Sequence, residues 1–309
     1  MKKINIILPI HNEEHNISKI FEEIVNLRIN NYYFEFIFVD DGSTDNSLRE
    51  IQKLSKDYKS VKYLSFSKNF GHQIALTAGL DYADGDAIIM MDCDFQHPIN
   101  EIPKMIKKFE SNYDVVQMVK LNQGKRNLII KIYAFIFYFL FRKFSNIKLS
   151  NNVSDFRLIS KKVNEQLLKI KEKERFLRGL VQWVGFNYTE INYKPAERLH
   201  GKSKYNFIKL LNLASFGVFS FTTIPLKLSL YFGVILSLFS FMYGFFAIIK
   251  KIFSIENMPI GYTDLIVFIT FIGGIQLIFL GLIGLYISKI YDQVRDRPLY
   301  IIKDNNFNV

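Results

Sequence analysis

The sequence predicts an α/β fold: a doubly wound, mostly parallel sheet, continued by segments that lie on or cross a bilayer. Three observations carry this. Short apolar runs alternate with helix-length segments through the first 120 residues, the pattern of strands joined by right-handed helical crossovers. The run Ala87-Ile88-Ile89-Met90-Met91 stops abruptly on Asp92-Cys93-Asp94, and ligands of open α/β sheets bind beyond such strand ends. Two later stretches, 228–249 and 265–288, run 22 and 24 residues without a charge, each long enough to cross about 30 Å of hydrocarbon.

Taken in order, residues 4–8, 34–39, 61–66, 87–91 and 115–119 read as strands, because they are short apolar runs of the kind a parallel sheet buries on both faces. Residues 15–27, 45–55, 71–83 and 99–110 read as the helices between them. The stretch 127–144 is hydrophobic and aromatic but holds Lys131 and Arg142-Lys143, so it suits the membrane interface better than a span; 207–223 has the same character. Between these two lie a strand over 156–159, helices over 161–170 and 176–184, and a strand over 188–193. The expected organisation is a catalytic domain over 1–205, an interfacial linker over 206–225, a transmembrane hairpin over 226–288 and a tail over 289–309. Two buried core helices are the alternative to the hairpin, but soluble helices rarely run so far without a polar face.

Pro259 and Gly261 punctuate the connection between the spans, so the chain turns back there. Arg198, Lys202, Lys204, Lys209 and Lys227 precede the first span and Lys289, Arg295, Arg297 and Lys303 follow the second, whereas the connection carries Lys250 and Lys251. The positive-inside bias then puts the first domain and the C-terminus in the cytoplasm. Met1-Lys2-Lys3 leads into a run that ends at Pro9, too short for a signal peptide. A net charge of +11 suits nucleic acid or an anionic bilayer; the hairpin favours the bilayer, and no nucleic-acid partner is expected. A single cysteine, Cys93, excludes an internal disulfide and a cysteine-based zinc cluster.

Three polar strand ends carry the chemistry. Pro9-Ile10-His11-Asn12-Glu13-Glu14 ends the first strand, Val39-Asp40-Asp41-Gly42-Ser43-Thr44-Asp45 the second, and the Asp-x-Asp the fourth. In a doubly wound sheet these tips face one crevice. Asp92, Asp94 and Gln96 present hard oxygens suited to Mg²⁺ or Mn²⁺, although Asp is also an ordinary turn residue. Asp41 could accept a hydrogen bond from a nucleobase N–H, and His11 could stack on a base or serve structure alone. Ser43 or Thr44 could equally cap a helix starting near Asp45.

These residues, with Asn69-Phe70-Gly71-His72-Gln73-x-Ala75-Leu76-x-Ala78-Gly79, Phe95-Gln96-His97-Pro98, Ser154-Asp155-Phe156-Arg157-Leu158, Gly201-Lys202-Ser203-Lys204-Tyr205 and Tyr291-Asp292-x-x-Arg295-x-Arg297-Pro298, make the chain resemble the family 2, GT-A fold glycosyltransferases that act on polyprenyl phosphates. Within them it is similar to the bacterial undecaprenyl-phosphate glucosyltransferases of the bactoprenol type, and more distantly to dolichyl-phosphate mannose synthase. The resemblance implies that Pro9, His11, Glu13, Val39 and Asp41 hold the nucleoside, that Asp92 and the Cys93 backbone touch ribose or phosphates, and that Asp94 with Gln96 binds the metal, giving Asp94 a catalytic part. It implies phosphate or acceptor contacts at Arg126, Arg178, Lys202, Ser203 and Lys204, and Asp155 as the base, unless that carboxylate only pairs Arg157 or Lys161. The family usually has Tyr, Ala and Leu where this chain has His11, Cys93 and Phe95.

The implied reaction is inverting transfer of one sugar, glucose from UDP-glucose first among donors, to undecaprenyl phosphate at the bacterial inner membrane, by a homo-oligomer, a tetramer in the nearest branch. UDP-GlcNAc, a UDP-aminoarabinose type of donor and GDP-mannose are the alternatives. A processive polysaccharide synthase fits less well: its Gln-x-x-Arg-Trp signature has no match at Leu180-Val181-Gln182-Trp183. A non-catalytic scaffold would have no use for a leaving-group metal.

Overall fold

The structure, a computed structural model, describes residues 1–29, 31–121, 153–173, 175–195 and 262–307, with scattered positions between 226 and 249. The chain divides into two units, Met1–Ala214 with Arg297–Val309, and Ser215–Asp296.

In the first unit, strands β1 (Lys2–Ile10), β2 (Tyr32–Asp40), β3 (Val61–Phe66) and β4 (Ala87–Met90) alternate with helices α1 (Ile17–Val25), α2 (Ser47–Asp57) and α3 (His72–Asp81). A 3₁₀ turn and α4 (Ile102–Glu110) lead to β5 (Val115–Lys120). After the undescribed 122–152 come β6 (Val153–Ser160), α5 (Lys161–Lys169), α6 (Leu177–Trp183) and β7 (Tyr188–Tyr193). With β8 (Ile302–Asn305) near the C-terminal end of the sequence, the strands form one sheet in the order β7-β5-β6-β4-β1-β2-β3-β8. β1 is parallel to β2 and β4, β2 to β3, and β5 to β7, while β6 runs against both β4 and β5.

The pleat explains how one strand serves two helix layers. Ile4, Ile6 and Leu8 of β1 join a core with Ile17, Phe21 and Ile24 of α1, Ile51 of α2 and Met105 of α4. Alternate residues point the other way, and there α3 lies so close that a Cβ on Gly79 would sit 2.3 Å from Ile7 Cγ2. Helix α1 buries Ile17, Ile20, Phe21 and Ile24, the i, i+3, i+4, i+7 stripe of a helix with one apolar face.

Within the expected tail over 289–309, residues 302–305 form a strand. β8 (Ile302–Asn305) pairs antiparallel with β3. Asp304 Oδ2 accepts from Gln52 Nε2 and Tyr63 Oη, both at 2.9 Å. Tyr300 stacks on Phe66 and donates to Asp81 at 2.7 Å. The strand covers a sheet edge that would otherwise offer unpaired backbone groups.

In the second unit, α7 (Tyr262–Val294) is a 33-residue helix that contains the expected span 265–288. Its stretch Phe271–Val294 is long and apolar enough to cross a membrane, the one such helix among the described residues. Leu277, Ile278 and Leu280 on it are 71%, 69% and 63% exposed, so these apolar side chains do not face a protein core. The described positions between 226 and 249 are all helical. The rest of the expected first span, and the expected interfacial segments 127–144 and 207–223, lie outside the described residues.

Candidate active site

The topology brings five strand ends to one edge. β4, β1 and β2 are parallel neighbours, so their carboxyl ends lie side by side. β6 runs against β4 with Met90 opposite Arg157, so Asp155, near the start of β6, reaches the edge where β4 gives way to Asp92. β5 pairs Val119 with Val153, which adds Lys120 to the same group.

The first two tips are zipped together by their own polar atoms. Pro9 and Val39 sit opposite each other in the β1–β2 register. Beyond them the Asn12 N–H donates to Ser43 Oγ at 3.1 Å, the Glu13 N–H to Ser47 Oγ at 2.9 Å, and the Thr44 N–H to Asn12 Oδ1 at 2.8 Å. The cap expected from Ser43 or Thr44 is therefore not made: α2 starts at Ser47 after Asn46, with no side-chain cap bond, because these groups are spent across the two tips. Gly42 lets the second tip approach the segment after β3: its φ is +64°, and a Cβ would meet the Lys68 carbonyl carbon at 2.5 Å and the Asn69 nitrogen at 2.6 Å.

Asp41 and His11 stand on this platform. His11 Nδ1 donates to the Asp41 carbonyl at 3.0 Å. The Asp41 carboxylate is 3% exposed and accepts the N–H groups of Phe70, at 2.6 Å, and Gly71, at 3.0 and 3.2 Å. Burial raises its pKa against the pull of those donors. Asp41 thus ties the second strand tip to the loop that opens α3. Glu13 Oε2 accepts from Asn16 Nδ2 at 2.6 Å, at the entry to α1.

The Asp92–Gln96 turn is tightly made. Asp94 Oδ1 accepts the Gln96 N–H at 3.1 Å, and Phe95 adopts φ +61°, a left-handed conformation that costs an aromatic residue energy. Cys93 fills the turn, 2% exposed, and its thiol pKa is pushed well up by burial. Among the described residues no three His, Cys, Asp or Glu side chains group to hold a metal by themselves. The turn supplies a partial set of hard oxygens instead, and Asp92 Oδ1 is buried without a hydrogen bond. Such a set fits a cation that takes its other ligands from phosphate and water.

Asp155 is the most heavily engaged side chain at the edge. Arg178 grips it at two points, Nε to Oδ1 at 2.9 Å and Nη2 to Oδ2 at 2.7 Å. Arg157 Nη2 donates to Oδ1 at 3.0 Å and Gln73 Nε2 to Oδ2 at 3.2 Å. Burial alone would raise its pKa, but Arg178, His72 and Arg157 hold it well below the usual carboxylate range. The pairing with Arg157 weighed from the sequence is present, and Lys161 has no part in it.

Sequence reasoning assigned no role to His72, Gln73, His97 or Lys120. His72 Nε2 lies 3.4 Å from Asp92 Oδ1 and 3.7 Å from Asp155 Oδ2; burial opposes its charge, yet those carboxylates raise its pKa to about 9. Burial lowers the pKa of Lys120 although Asp92 and Asp94 favour its charge. His97, 1% exposed, has its pKa lowered by burial. For His72, Gln73 and His97 the one available signal was membership in the quoted motifs, which does not say which side chain turns inward; Lys120 lies in none of them. Arg126, Lys202, Ser203 and Lys204 lie outside the described residues.

Residues 5–168 match the domain described as glycosyl transferase family 2. The chain is 40% identical over 302 residues to the uncharacterized glycosyltransferase YkcC of Bacillus subtilis (strain 168), covering 97% of this chain and 93% of the relative. It is 37% identical over 306 residues to the uncharacterized glycosyltransferase sll0501 of Synechocystis sp., covering 98% and 95%. It is 39% identical over 306 residues to the SfII prophage-derived bactoprenol glucosyl transferase of Shigella flexneri, covering 98% of both. With a mostly parallel α/β sheet of the GT-A kind and its polar strand tips gathered at one edge, this chain belongs to glycosyl transferase family 2.

Proposed function

We propose that the chain transfers one glucosyl unit from UDP-glucose to undecaprenyl phosphate, with inversion at the anomeric carbon. The observation that carries this reading is the proximity of two different phosphate-handling groups: the oxygen-rich Asp92–Gln96 turn, and Arg178 fixed on Asp155, with His72 within 3.7 Å of carboxylates on both sides. One suits a nucleotide diphosphate and the other a second phosphate. The relatives named bactoprenol glucosyl transferase support the choice of sugar and lipid.

In this reading Pro9, His11, Glu13, Val39, Asp41, Asp92 and the Cys93 backbone surround the nucleoside and its ribose. Asp94 and Gln96, with Asp92 beside them, would hold Mg²⁺ or Mn²⁺, which supplies charge neutralisation for the departing diphosphate. Arg126, Lys202, Ser203 and Lys204 complete the phosphate contacts. A phosphate monoester is already anionic, so its oxygen attacks C1 without a strong base, and positioning supplies most of the rate. The new bond joins that oxygen to C1 as the bond from C1 to UDP breaks, and UDP leaves with the electron pair. Asp155 is then a positioning residue: held ionised by two guanidiniums, it aims Arg178 at the acceptor and takes no proton.

The membrane part of the proposal rests on connectivity. The chain leaves the first unit after Ala214 and rejoins it at Arg297. An even number of crossings must lie between, so a spanning α7 requires a second crossing within 215–261. Both ends then lie in the cytoplasm, in an oligomer for which the resemblance suggests a tetramer. The test is transfer by purified protein in detergent with Mg²⁺ or Mn²⁺, undecaprenyl phosphate and a panel of nucleotide sugars. One glucosyl-lipid product is expected, and polymer or transfer from a different donor would contradict the reading.

A further inference from the structure

We propose that His97 is a positioning residue whose Nδ1 atom anchors the Asp-x-Asp turn, so that the carboxylates of Asp92 and Asp94 are set for a divalent cation before it arrives. The inference rests on the metal reading above and extends it to a residue that touches neither metal nor substrate.

The two ring nitrogens have different duties. The Asp92 backbone N–H donates to Nδ1 at 2.8 Å, so Nδ1 carries no hydrogen and Nε2 carries it. Nε2 then donates to Ser154 Oγ at 2.9 Å, and Tyr193 Oη donates to the same oxygen at 3.0 Å. The ring is stacked on Phe156, with centroids 4.9 Å apart and planes at 14°, and meets Tyr193 edge-on at 6.2 Å. Apart from Asp92, these partners lie on β6 (Ser154 and Phe156) or β7 (Tyr193). The turn itself comes from the end of β4, so His97 fastens it to a different part of the sheet.

A turn with Phe95 at φ +61° needs such a fastening, since left-handed backbone at a bulky residue persists only where the surroundings fix it. Ser154 also immediately precedes Asp155, so one stretch of β6 fixes the Asp-x-Asp through His97 and Arg178 through its neighbour. A packing-only histidine would need only its ring faces. Here the unprotonated nitrogen meets the backbone of the first carboxylate of the motif.

The chemistry of the two nitrogens yields a test in which size and hydrogen bonding disagree. In His97→Asn, Oδ1 falls where Nδ1 was and still accepts the Asp92 N–H. In His97→Gln, the amide reaches toward Ser154 and leaves that N–H unanswered, although Gln is nearer to His in volume. Mn²⁺ titration followed by electron paramagnetic resonance, with UDP present, should show the Asn variant near wild type. The Gln variant should be weakened about 10-fold or more, the cost typical of a lost second partner of a metal ligand. Hydrogen exchange of the 91–97 peptide in metal-free protein should follow the same order. Equal behaviour, or better tolerance of Gln, would overturn the anchor. If neither variant folds, nitrogen chemical shifts of wild-type His97 decide: the Nε2-protonated form is expected, and the Nδ1-protonated form contradicts the proposal. Wild-type protein that binds no Mn²⁺ would overturn the metal reading, while the exchange and tautomer results still judge the anchor on its own.

Discussion

Asp155 and Arg178 form a two-point pair, with Nε to Oδ1 at 2.9 Å and Nη2 to Oδ2 at 2.7 Å, in which the carboxylate side chain is 7% exposed and the guanidinium 31%. Two parallel donor–acceptor contacts fix orientation as well as charge. The pair is therefore a device for aiming Arg178. A carboxylate so engaged, beside a second and fully buried guanidinium on Arg157, is poorly placed to collect a proton.

Asp155→Asn tests this. The substitution keeps the shape but leaves Arg157 buried beside a neutral group, and breaking a buried pair in this way costs roughly 3–5 kcal/mol. The unfolding midpoint should fall accordingly. Transfer should drop about 100-fold as the acceptor loses its alignment. The wild-type pH–rate profile should show no acid limb between pH 4 and 7 from Asp155, because its carboxyl is held well below that range; such a limb that vanished in Asp155→Asn would restore it as a base.

His72 predicts the opposite end of the pH scale. Its folded pKa of about 9 lies above the ordinary value of 6.5, so the stability it contributes is complete below pH 6.5 and is lost as the pH rises through 9. Thermal unfolding of wild type should weaken across that window. His72→Gln should flatten the slope there while leaving behaviour below pH 6.5 parallel to wild type.

Gly42→Ala should disable the nucleoside side of the edge. The added Cβ meets backbone atoms of Lys68 and Asn69 at 2.5 and 2.6 Å, and the left-handed conformation adds about 1–3 kcal/mol of strain for a non-glycine residue. A lower unfolding midpoint and weaker UDP binding are expected together, because the clash moves the loop that Asp41 holds.

Much of the catalytic unit was legible because each element has one dominant signal. Ile4–Leu8 and Ala87–Met91 are apolar runs too short for helices, and α1 and α4 each carry a single apolar stripe. What escaped has a local reason. Ile302–Asn305 is four residues long and includes Lys303 and Asp304, so it shows no strand pattern of its own; it is a strand because β3 offers an edge and Asp304 meets Gln52 and Tyr63. The site was legible as a set of motifs and much less as a set of roles. Asp41, Asp92, Asp94 and Asp155 stand out as strand-end carboxylates, but the spacing in Asp92-Cys93-Asp94 cannot tell that His97 turns back to Asp92. Nor can a sequence show that Arg178, 23 residues after Asp155, closes onto it.

The β8 pairing makes its own prediction. Asp304→Ala removes one acceptor oxygen from both Gln52 and Tyr63, a loss of about 1–3 kcal/mol where polar partners are left unsatisfied. The unfolding midpoint should fall, and hydrogen exchange should rise in 61–66 more than in 4–8, the strand at the sheet centre.

If the Asp92–Gln96 turn serves glucosyl transfer to a lipid phosphate, loss of Asp94 must abolish that transfer. Purified wild type and Asp94→Ala are incubated with radiolabelled UDP-glucose, undecaprenyl phosphate and Mn²⁺, and label is counted in the organic phase. Wild type should produce a single monosaccharide-lipid, and Asp94→Ala, folded as judged by its unfolding midpoint, should lose that product at least about 100-fold, in keeping with the loss of a group that stabilises leaving-group charge. Near-normal transfer by Asp94→Ala would remove the turn from the reaction, and no lipid-linked glucose from wild type would exclude this donor and acceptor.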